Sequence, residues 1–143
     1  MKSNQKSKYL FDSNIYGLIL TNNFPQLNKF IYTIKKEDTV VSCFVLAELE
    51  VLRYSIKDKE LFELLHNMET SKLIWFNQNH LDTFAQLKHE MAVKKMRNRT
   101  IDWFIAAQCL FDDYILITTN VKDYEHIPNL KTKFFDQKNS RWY

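Results

Sequence analysis

Glycine is almost missing from this chain of 143 residues, in which Gly17 is the single example. P-loops and dinucleotide-binding turns need several glycines, because the backbone must approach a phosphate group closely. The sequence therefore excludes both of these nucleotide sites. It also argues against a small-ligand module that would cradle a nucleotide phosphate at a helix N-terminus.

Cysteine is scarce as well, and long apolar runs are absent. Cys43 and Cys109 lie in apolar surroundings without metal-ligand spacing, which predicts buried free thiols in a reducing compartment. The first eight residues are mostly polar and no apolar core of signal-peptide length follows them, which argues against a signal peptide. No apolar run approaches the length of a membrane span. We therefore expect a cytoplasmic protein without a membrane partner.

The composition predicts a folded chain with one core. Hydrophobic residues make up 45% and aromatic residues 15% of the sequence, which is typical of a globular protein rather than a disordered one. A length of 143 residues favours a single domain. The net charge of +3 permits a polyanionic partner but does not require one.

Short apolar runs alternate with helical patterns along the chain. The runs that predict strands are continuous rather than alternating, which is typical of parallel strands covered on both faces. They lie at residues 9–11, 39–41, 73–76 and 114–118, with a fifth at 133–135 on an edge. Helices are predicted between them, at residues 13–20, from Pro25, at 44–54 after a Ser42 cap, around Leu61 to Met68, at 81–95 and at 102–111. This order predicts an α/β fold, a three-layer α/β/α sandwich around a mostly parallel sheet of four to five strands.

Acidic residues occur at the points where predicted strands end or helices begin. Each of the four lies in an apolar stretch: Asp12, Glu48, Asp102 and Asp123. Taken singly, each has an ordinary role as a helix cap, an ion-paired surface residue or a loop residue. If the carboxyl edge of a parallel sheet brings them together, their charges repel one another unless a cation binds. Mg²⁺ or Mn²⁺ suits such oxygen ligands, whereas the four histidines lack zinc-like spacing.

The order of these acids along the chain resembles that of the PIN-domain ribonucleases, and within them the VapC-like toxins of type II toxin–antitoxin modules. The matching stretches are Leu10-Phe-Asp-Ser-Asn14, Ala47-Glu-Leu49, Asp102 followed by Ile105-Ala-Ala107, and Ile117-Thr-Thr-Asn-Val-Lys-Asp-Tyr124. The resemblance spans about residues 8 to 135. It implies that the four acids form a catalytic, metal-binding site. It also implies that neighbouring polar residues support them, namely Ser13, Asn14, Thr118 and Asn120.

The resemblance further implies an activity and partners. Family members hydrolyse RNA phosphodiester bonds with Mg²⁺ or Mn²⁺, often act as homodimers, and are held inactive by a small antitoxin protein. The chain departs from the family at two positions: Ile101 stands where asparagine is frequent, and Leu52 stands where glycine is frequent. Neither departure removes an acid, so an intact site is expected.

A basic segment and several aromatic residues have two interpretations each. Lys94, Lys95, Arg97 and Arg99 lead into Asp102 and either guide an RNA backbone or simply end a solvated helix. Tyr124, Trp142 and Tyr143 either stack on bases or pack within the protein.

Two other functions remain open from the sequence. The chain is either a nuclease or a catalytically weak PIN-like domain that binds RNA or protein. A phosphotransfer or receiver domain also has acids at strand ends, but Asn14 stands where an Asp-x-Asp phosphohydrolase needs its second acid.

Overall fold

The core of the molecule is a six-stranded sheet in the order β3-β2-β1-β4-β5-β6. A computed structural model describes residues 6–143. The strands are β1 (Tyr9–Phe11), β2 (Thr39–Ser42), β3 (Leu73–Ile74), β4 (Ile115–Thr118), β5 (Thr132–Asp136) and β6 (Arg141–Trp142). The first five pair in parallel, and β6 pairs antiparallel with β5. The predicted α/β fold with a central, mostly parallel sheet is confirmed.

The centre of the sheet is covered on both faces. Leu10 of β1 lies opposite Val40 of β2 and Leu116 of β4, and all three side chains are fully buried. Such burial on both faces explains why the strands are continuous apolar runs in the sequence.

Helices cover the sheet on both sides, which confirms the predicted layers. They are α1 (Ser13–Thr21), α2 (Pro25–Thr33), α3 (Cys43–Glu50), α4 (Lys59–Glu69), α5 (Gln78–Val93), α6 (Thr100–Asp112) and the short α7 (Val121–Tyr124). Side-chain caps begin several of these helices: Asp12 on α1, Ser42 on α3 and Asp58 on α4 each accept a hydrogen bond from a first-turn N–H group. None of the helices within residues 6–143 combines the length and apolarity that crossing a membrane requires.

Helix α6 is the buried central helix that its apolar sequence predicts. One polar residue lies inside it: Gln108 is fully buried, and its Oε1 accepts a hydrogen bond of 2.5 Å from the Ser42 hydroxyl. The Gln108 amide also donates to the Ile74 carbonyl over 3.5 Å. This satisfied polar link fixes α6 against the ends of β2 and β3, because an unpaired buried amide would destabilise the fold.

Two local predictions were wrong. The strand near residue 134 is not at an edge, because β6 pairs on its outer side and Trp142 packs against Phe30 and Phe135. The predicted helix over residues 44–54 is regular only to Glu50 and tightens into a 3-10 turn over Val51–Tyr54. Pairing of β6 depends on a turn and tertiary packing, which strand patterning does not reveal.

Candidate active site

Asp12 lies at the carboxyl edge of the sheet, where two central strands end side by side. Phe11 of β1 is paired with Ile117 of β4, so the next residue of each strand, Asp12 and Thr118, come into contact. Asp12 Oδ2 accepts a hydrogen bond of 2.8 Å from the Thr118 hydroxyl, and Oδ1 accepts one of 2.9 Å from the Ser13 N–H. The same carboxylate thus caps α1 and points into the site, which combines both roles considered for it.

The charge of Asp12 is poorly compensated. Its side chain is almost fully buried, and this burial raises the pKa of the carboxyl group above its ordinary value. Hydrogen bonds from Thr118 and Ser13 oppose the shift, while the negative charges of Glu48 and Asp123 add to it. A buried acid surrounded by other acids is a place where a cation would be stabilised.

Asp102 is the second acid of the site and lies in the first turn of α6. Partial burial, followed by the charge of Asp12, raises the pKa of its carboxyl group to about 6. The Tyr124 hydroxyl donates a hydrogen bond of 3.2 Å to Asp102 Oδ1. Burial, with the charges of Asp12 and Asp102, raises the pKa of Tyr124 well above its ordinary value, so this phenol stays protonated as a donor.

Asp123 contributes the third carboxylate from the short helix α7. Its Oδ2 accepts a hydrogen bond from the Asn120 amide, and its Oδ1 lies 3.2 Å from Arg99 Nε. The Arg99 Nε atom is buried and makes no hydrogen bond, so its contact with Asp123 is an ion pair without directional bonding. Arg99 therefore places a cation beside Asp123.

Glu48 lies at the border of the site. It is an exposed residue of α3, and its charge raises the pKa of Asp12. Its helical face turns toward an open cleft rather than into the core, which was one of the two orientations that its apolar neighbours allow.

The acids approach one another without forming a closed metal cage. Within residues 6–143, no group of three or more His, Cys, Asp or Glu side chains is arranged to hold a metal ion. The expected cage is therefore absent as a preformed structure. Thr118, Tyr124 and Asn120 each donate a hydrogen bond to a carboxylate oxygen of the site, and Arg99 forms an ion pair with Asp123. After burial, the charges of Glu48 and Asp123 contribute to the raised pKa of Asp12, and those of Asp12 and Asp123 to the raised pKa of Asp102, so the acids still lie within electrostatic reach.

The remaining predicted residues divide into those at the site and those away from it. Thr118 is fully buried against Asp12, Asn120 contacts Asp123, and Ser13 borders the site beside the exposed Asn14. In the basic segment, only Arg99 reaches an acid of the site. The other three basic residues are exposed to solvent: Lys94, Lys95 and Arg97.

Tyr124 has a role that sequence reasoning missed. The residue is only 1% exposed, so base stacking is ruled out and the hydroxyl instead orients Asp102. The one sequence feature that could have indicated this role is that Tyr124 directly follows Asp123. Trp142 packs against Phe30 and Phe135, whereas Tyr143 is exposed.

Known proteins similar to this chain include a ribonuclease and toxin–antitoxin complexes. No family model matches the chain. Ribonuclease VapC2 of Rickettsia felis is 26% identical over 132 residues, which cover 90% of this chain and 98% of that protein. Among solved structures, VapBC2 of Rickettsia felis bound to a promoter DNA fragment is 22% identical, with a TM-score of 0.76 over 90% of this chain and 98% of the matched chain. A toxin–antitoxin complex from Klebsiella pneumoniae is 20% identical, with a TM-score of 0.67 over 86% and 95%.

Each of these similarities covers most of this chain and most of the matched chain. The structural matches show that the chain has the fold of these proteins, and the sequence match carries the name of a VapC ribonuclease. The resemblance to PIN-domain toxins of the VapC group is confirmed.

Proposed function

We propose that this chain is a single-domain, metal-dependent endoribonuclease that acts as the toxin of a toxin–antitoxin pair. One observation carries the proposal: acids from the end of β1, from α6 and from α7 meet at the carboxyl edge of a parallel sheet, where burial and the charge of Asp123 raise the pKa of Asp12, and burial and the charges of Asp12 and Asp123 raise that of Asp102. The name of the Rickettsia relative supports the same reaction. The substrate is RNA, and the reaction is hydrolysis of a phosphodiester bond.

The residues of the site fit a hard divalent cation in charge and in ligand type. Asp12, Asp102 and Asp123 would hold the ion, with Glu48 at its border. Their ligand atoms are all carboxylate oxygens, which suit Mg²⁺ or Mn²⁺. Mg²⁺ keeps several water ligands and needs only one or two carboxylates, so a preformed cage is unnecessary. Burial first, and then the charges of neighbouring acids, raise the pKa of Asp12 and Asp102, so a cation bound here would stabilise their charged forms.

The protein's own groups prepare the site for hydrolysis. Thr118 and Ser13 hold both oxygens of Asp12, and Tyr124 holds one oxygen of Asp102, so the carboxylates are oriented before substrate arrives. A bound divalent ion would supply Lewis-acid activation of water and stabilise charge on the leaving oxygen. A carboxylate oxygen free of the ion accepts the proton of the attacking water. The expected products carry a 5′-phosphate and a 3′-hydroxyl.

Partners and location follow from the same proposal. A small antitoxin protein covers the site and holds the toxin inactive, as the toxin–antitoxin nature of the Klebsiella match supports. A homodimer is the proposed assembly. The free thiols Cys43 and Cys109 suit the reducing cytoplasm, where we place the protein.

The proposal is tested by incubating a mixed set of RNAs with the protein in Mg²⁺, in Mn²⁺ and in EDTA. Cleavage is expected with either ion and absent in EDTA, and mapping of the product ends checks for 5′-phosphates. Thermal unfolding in the same buffers separates the alternative function. Stabilisation by Mn²⁺ without cleavage of any RNA would indicate a catalytically weak, PIN-like binding domain.

Arg99 is expected to matter more for RNA cleavage than its exposed neighbours. We propose that the basic segment guides RNA, and Arg99 alone in it contacts an acid of the site. Arg99→Gln should therefore raise the KM for RNA by about ten-fold, whereas Arg97→Gln removes one exposed phosphate contact and should raise KM only two- to three-fold. Steady-state cleavage at several salt concentrations measures both. Equal effects of the two substitutions would show that the position of Arg99 is irrelevant.

A further inference from the structure

A cleft of about 450 Å³ opens directly beside the acids. Glu48 forms part of its wall, and Ser13 and Thr119 connect it to the Asp12 and Thr118 pair. Its volume lies in the range of ordinary small-ligand sites. A substrate strand that crosses the acids therefore has room to place one of its groups in this cleft.

The lining of the cleft favours a neutral, flat, hydrogen-bonding group. Two amide side chains face it, Asn14 from α1 and Gln137 from the turn between β5 and β6. Leu18, Leu49 and Leu52 supply the apolar surface. Among the described residues that line the cleft, none is a cation, and Glu48 would repel a phosphate. The cleft is thus unlike the phosphate-binding surfaces of nucleic-acid proteins.

Gly17 lines the cleft without contributing a side chain. It lies within α1, where glycine destabilises a helix relative to alanine. A Cβ atom placed on Gly17 would have no neighbouring heavy atom within 4 Å, so the space above it is empty. The only glycine of the sequence therefore leaves open space at this point, at the expense of helix stability.

Leu52 is a second residue that shapes the cleft. Its side chain forms part of the apolar wall. A leucine side chain offers a surface on which the face of a base can lie, which a glycine does not.

We propose that this cleft is a base-recognition subsite that receives one unpaired nucleobase of the RNA next to the cleaved bond. Asn14 and Gln137 read the edge of that base, and the leucines contact its face. An amide offers a donor and an acceptor side by side, and adenine is the one base that presents the complementary pair on both its Watson–Crick edge and its Hoogsteen edge. Unpaired bases are what sequence-specific RNA-binding proteins usually read. The subsite would give the nuclease a sequence preference, and in this respect it rests on the proposed function.

The test measures base preference without metal or cleavage. Fluorescein-labelled RNA pentanucleotides that differ only in the central base are titrated with protein in EDTA, and fluorescence anisotropy gives the Kd. The wild type should bind the adenine-centred strand about ten-fold more tightly than the uracil-centred strand. Gly17→Met projects a long side chain into the cleft and should weaken binding of the adenine-centred strand by about ten-fold. Gln137→Ala, in an exposed turn where folding is not at risk, should bring the two Kd values to within about two-fold.

Gln26→Met is the matched control, because Gln26 is an exposed residue of α2 that does not line the cleft, and its Kd values should equal those of the wild type. Equal binding of all four strands by the wild type would overturn the subsite. So would wild-type base preference in both Gly17→Met and Gln137→Ala. Cleavage of mixed RNA in Mn²⁺ is measured in parallel. Cleavage together with equal binding removes the subsite and leaves the nuclease, whereas base-selective binding without cleavage retains the subsite and removes the nuclease.

Discussion

Asp12→Asn should slow RNA cleavage by at least about one hundred-fold while making the metal-free protein more stable. The slower cleavage is expected because the substitution removes a charged ligand of the proposed ion, and such ions contribute several kcal/mol to the transition state. The greater stability is expected because burial and neighbouring acids raise the pKa of Asp12, which means that its charge destabilises the folded state at neutral pH. A neutral asparagine avoids that repulsion.

The local structure can accept this change. Asparagine caps helices as well as aspartate does, so the bond from the Ser13 N–H is retained. The Thr118 hydroxyl can rotate to accept from the new amide, because a hydroxyl oxygen accepts two hydrogen bonds and only the Asn120 N–H uses it now. We expect a rise in unfolding temperature of a few degrees in EDTA, equivalent to about 1 kcal/mol.

Three measurements examine the Asp12 prediction: cleavage rate, unfolding temperature in EDTA and the shift of that temperature by Mn²⁺. The shift should be large in the wild type and nearly lost in Asp12→Asn. Asp82→Asn serves as the control, since Asp82 is an exposed residue of α5 away from the site, and it should behave as the wild type in all three. Undiminished cleavage by Asp12→Asn would place the reaction elsewhere on the molecule.

The metal-free protein should become more stable as the pH falls from about 7.5 to about 5. The folded-state pKa of Asp102 is about 6, whereas the ordinary value is 3.8, and the pKa of Asp12 is also raised. The folded state therefore binds protons before the unfolded state does as the pH falls. The destabilising charge is fully present above about pH 6 and disappears between about pH 6 and pH 4.

Mn²⁺ should reverse this dependence. Ion binding requires deprotonated carboxylates, so protonation of Asp102 below about pH 6 competes with the ion. At a concentration one hundred times its Kd, an ion stabilises the fold by about 2.7 kcal/mol, or roughly 8 °C in unfolding temperature. That gain should be complete near pH 7.5 and nearly absent near pH 5.

Thermal unfolding across this pH range, with EDTA or with Mn²⁺, measures both trends. The Asp102→Asn variant should flatten the slope seen in EDTA, while Asp82→Asn should keep it. A metal-free protein that loses stability steadily from pH 7.5 to pH 5 would contradict the raised pKa values, and with them the convergence of the acids.

Much of the fold could be predicted from local sequence. The run Tyr9–Phe11 is a parallel strand because its apolar residues are covered on both faces, and Ser42 begins α3 because its hydroxyl accepts from a first-turn N–H. β6 could not be predicted in the same way. Its two residues, Arg141 and Trp142, pair with β5 only because the intervening turn returns the chain and Trp142 packs on Phe135.

The candidate site could be predicted only in outline. Asp12, Glu48, Asp102 and Asp123 were identified because carboxylates are unexpected in apolar stretches. The contacts that orient them, from Thr118 and Tyr124, join residues far apart in sequence, and no local pattern reveals a bond from Tyr124 to Asp102. The ion pair of Arg99 with Asp123 likewise joins residues far apart in sequence, and no local pattern predicts it.

The sequence by itself determined the layer order of the fold and the identity of the acids, because hydrophobic periodicity and the burial of a charge are local properties of the chain. Only the tertiary structure decided how those acids stand toward one another. Strand register brings Asp12 to Thr118, and helix packing brings Tyr124 to Asp102. Within residues 6–143 these acids do not form a group of three or more that could hold a metal ion, and the space above Gly17 is open. Strand pairing and helix packing join residues that are far apart in the sequence. The geometry of the site therefore could be read only from the tertiary structure.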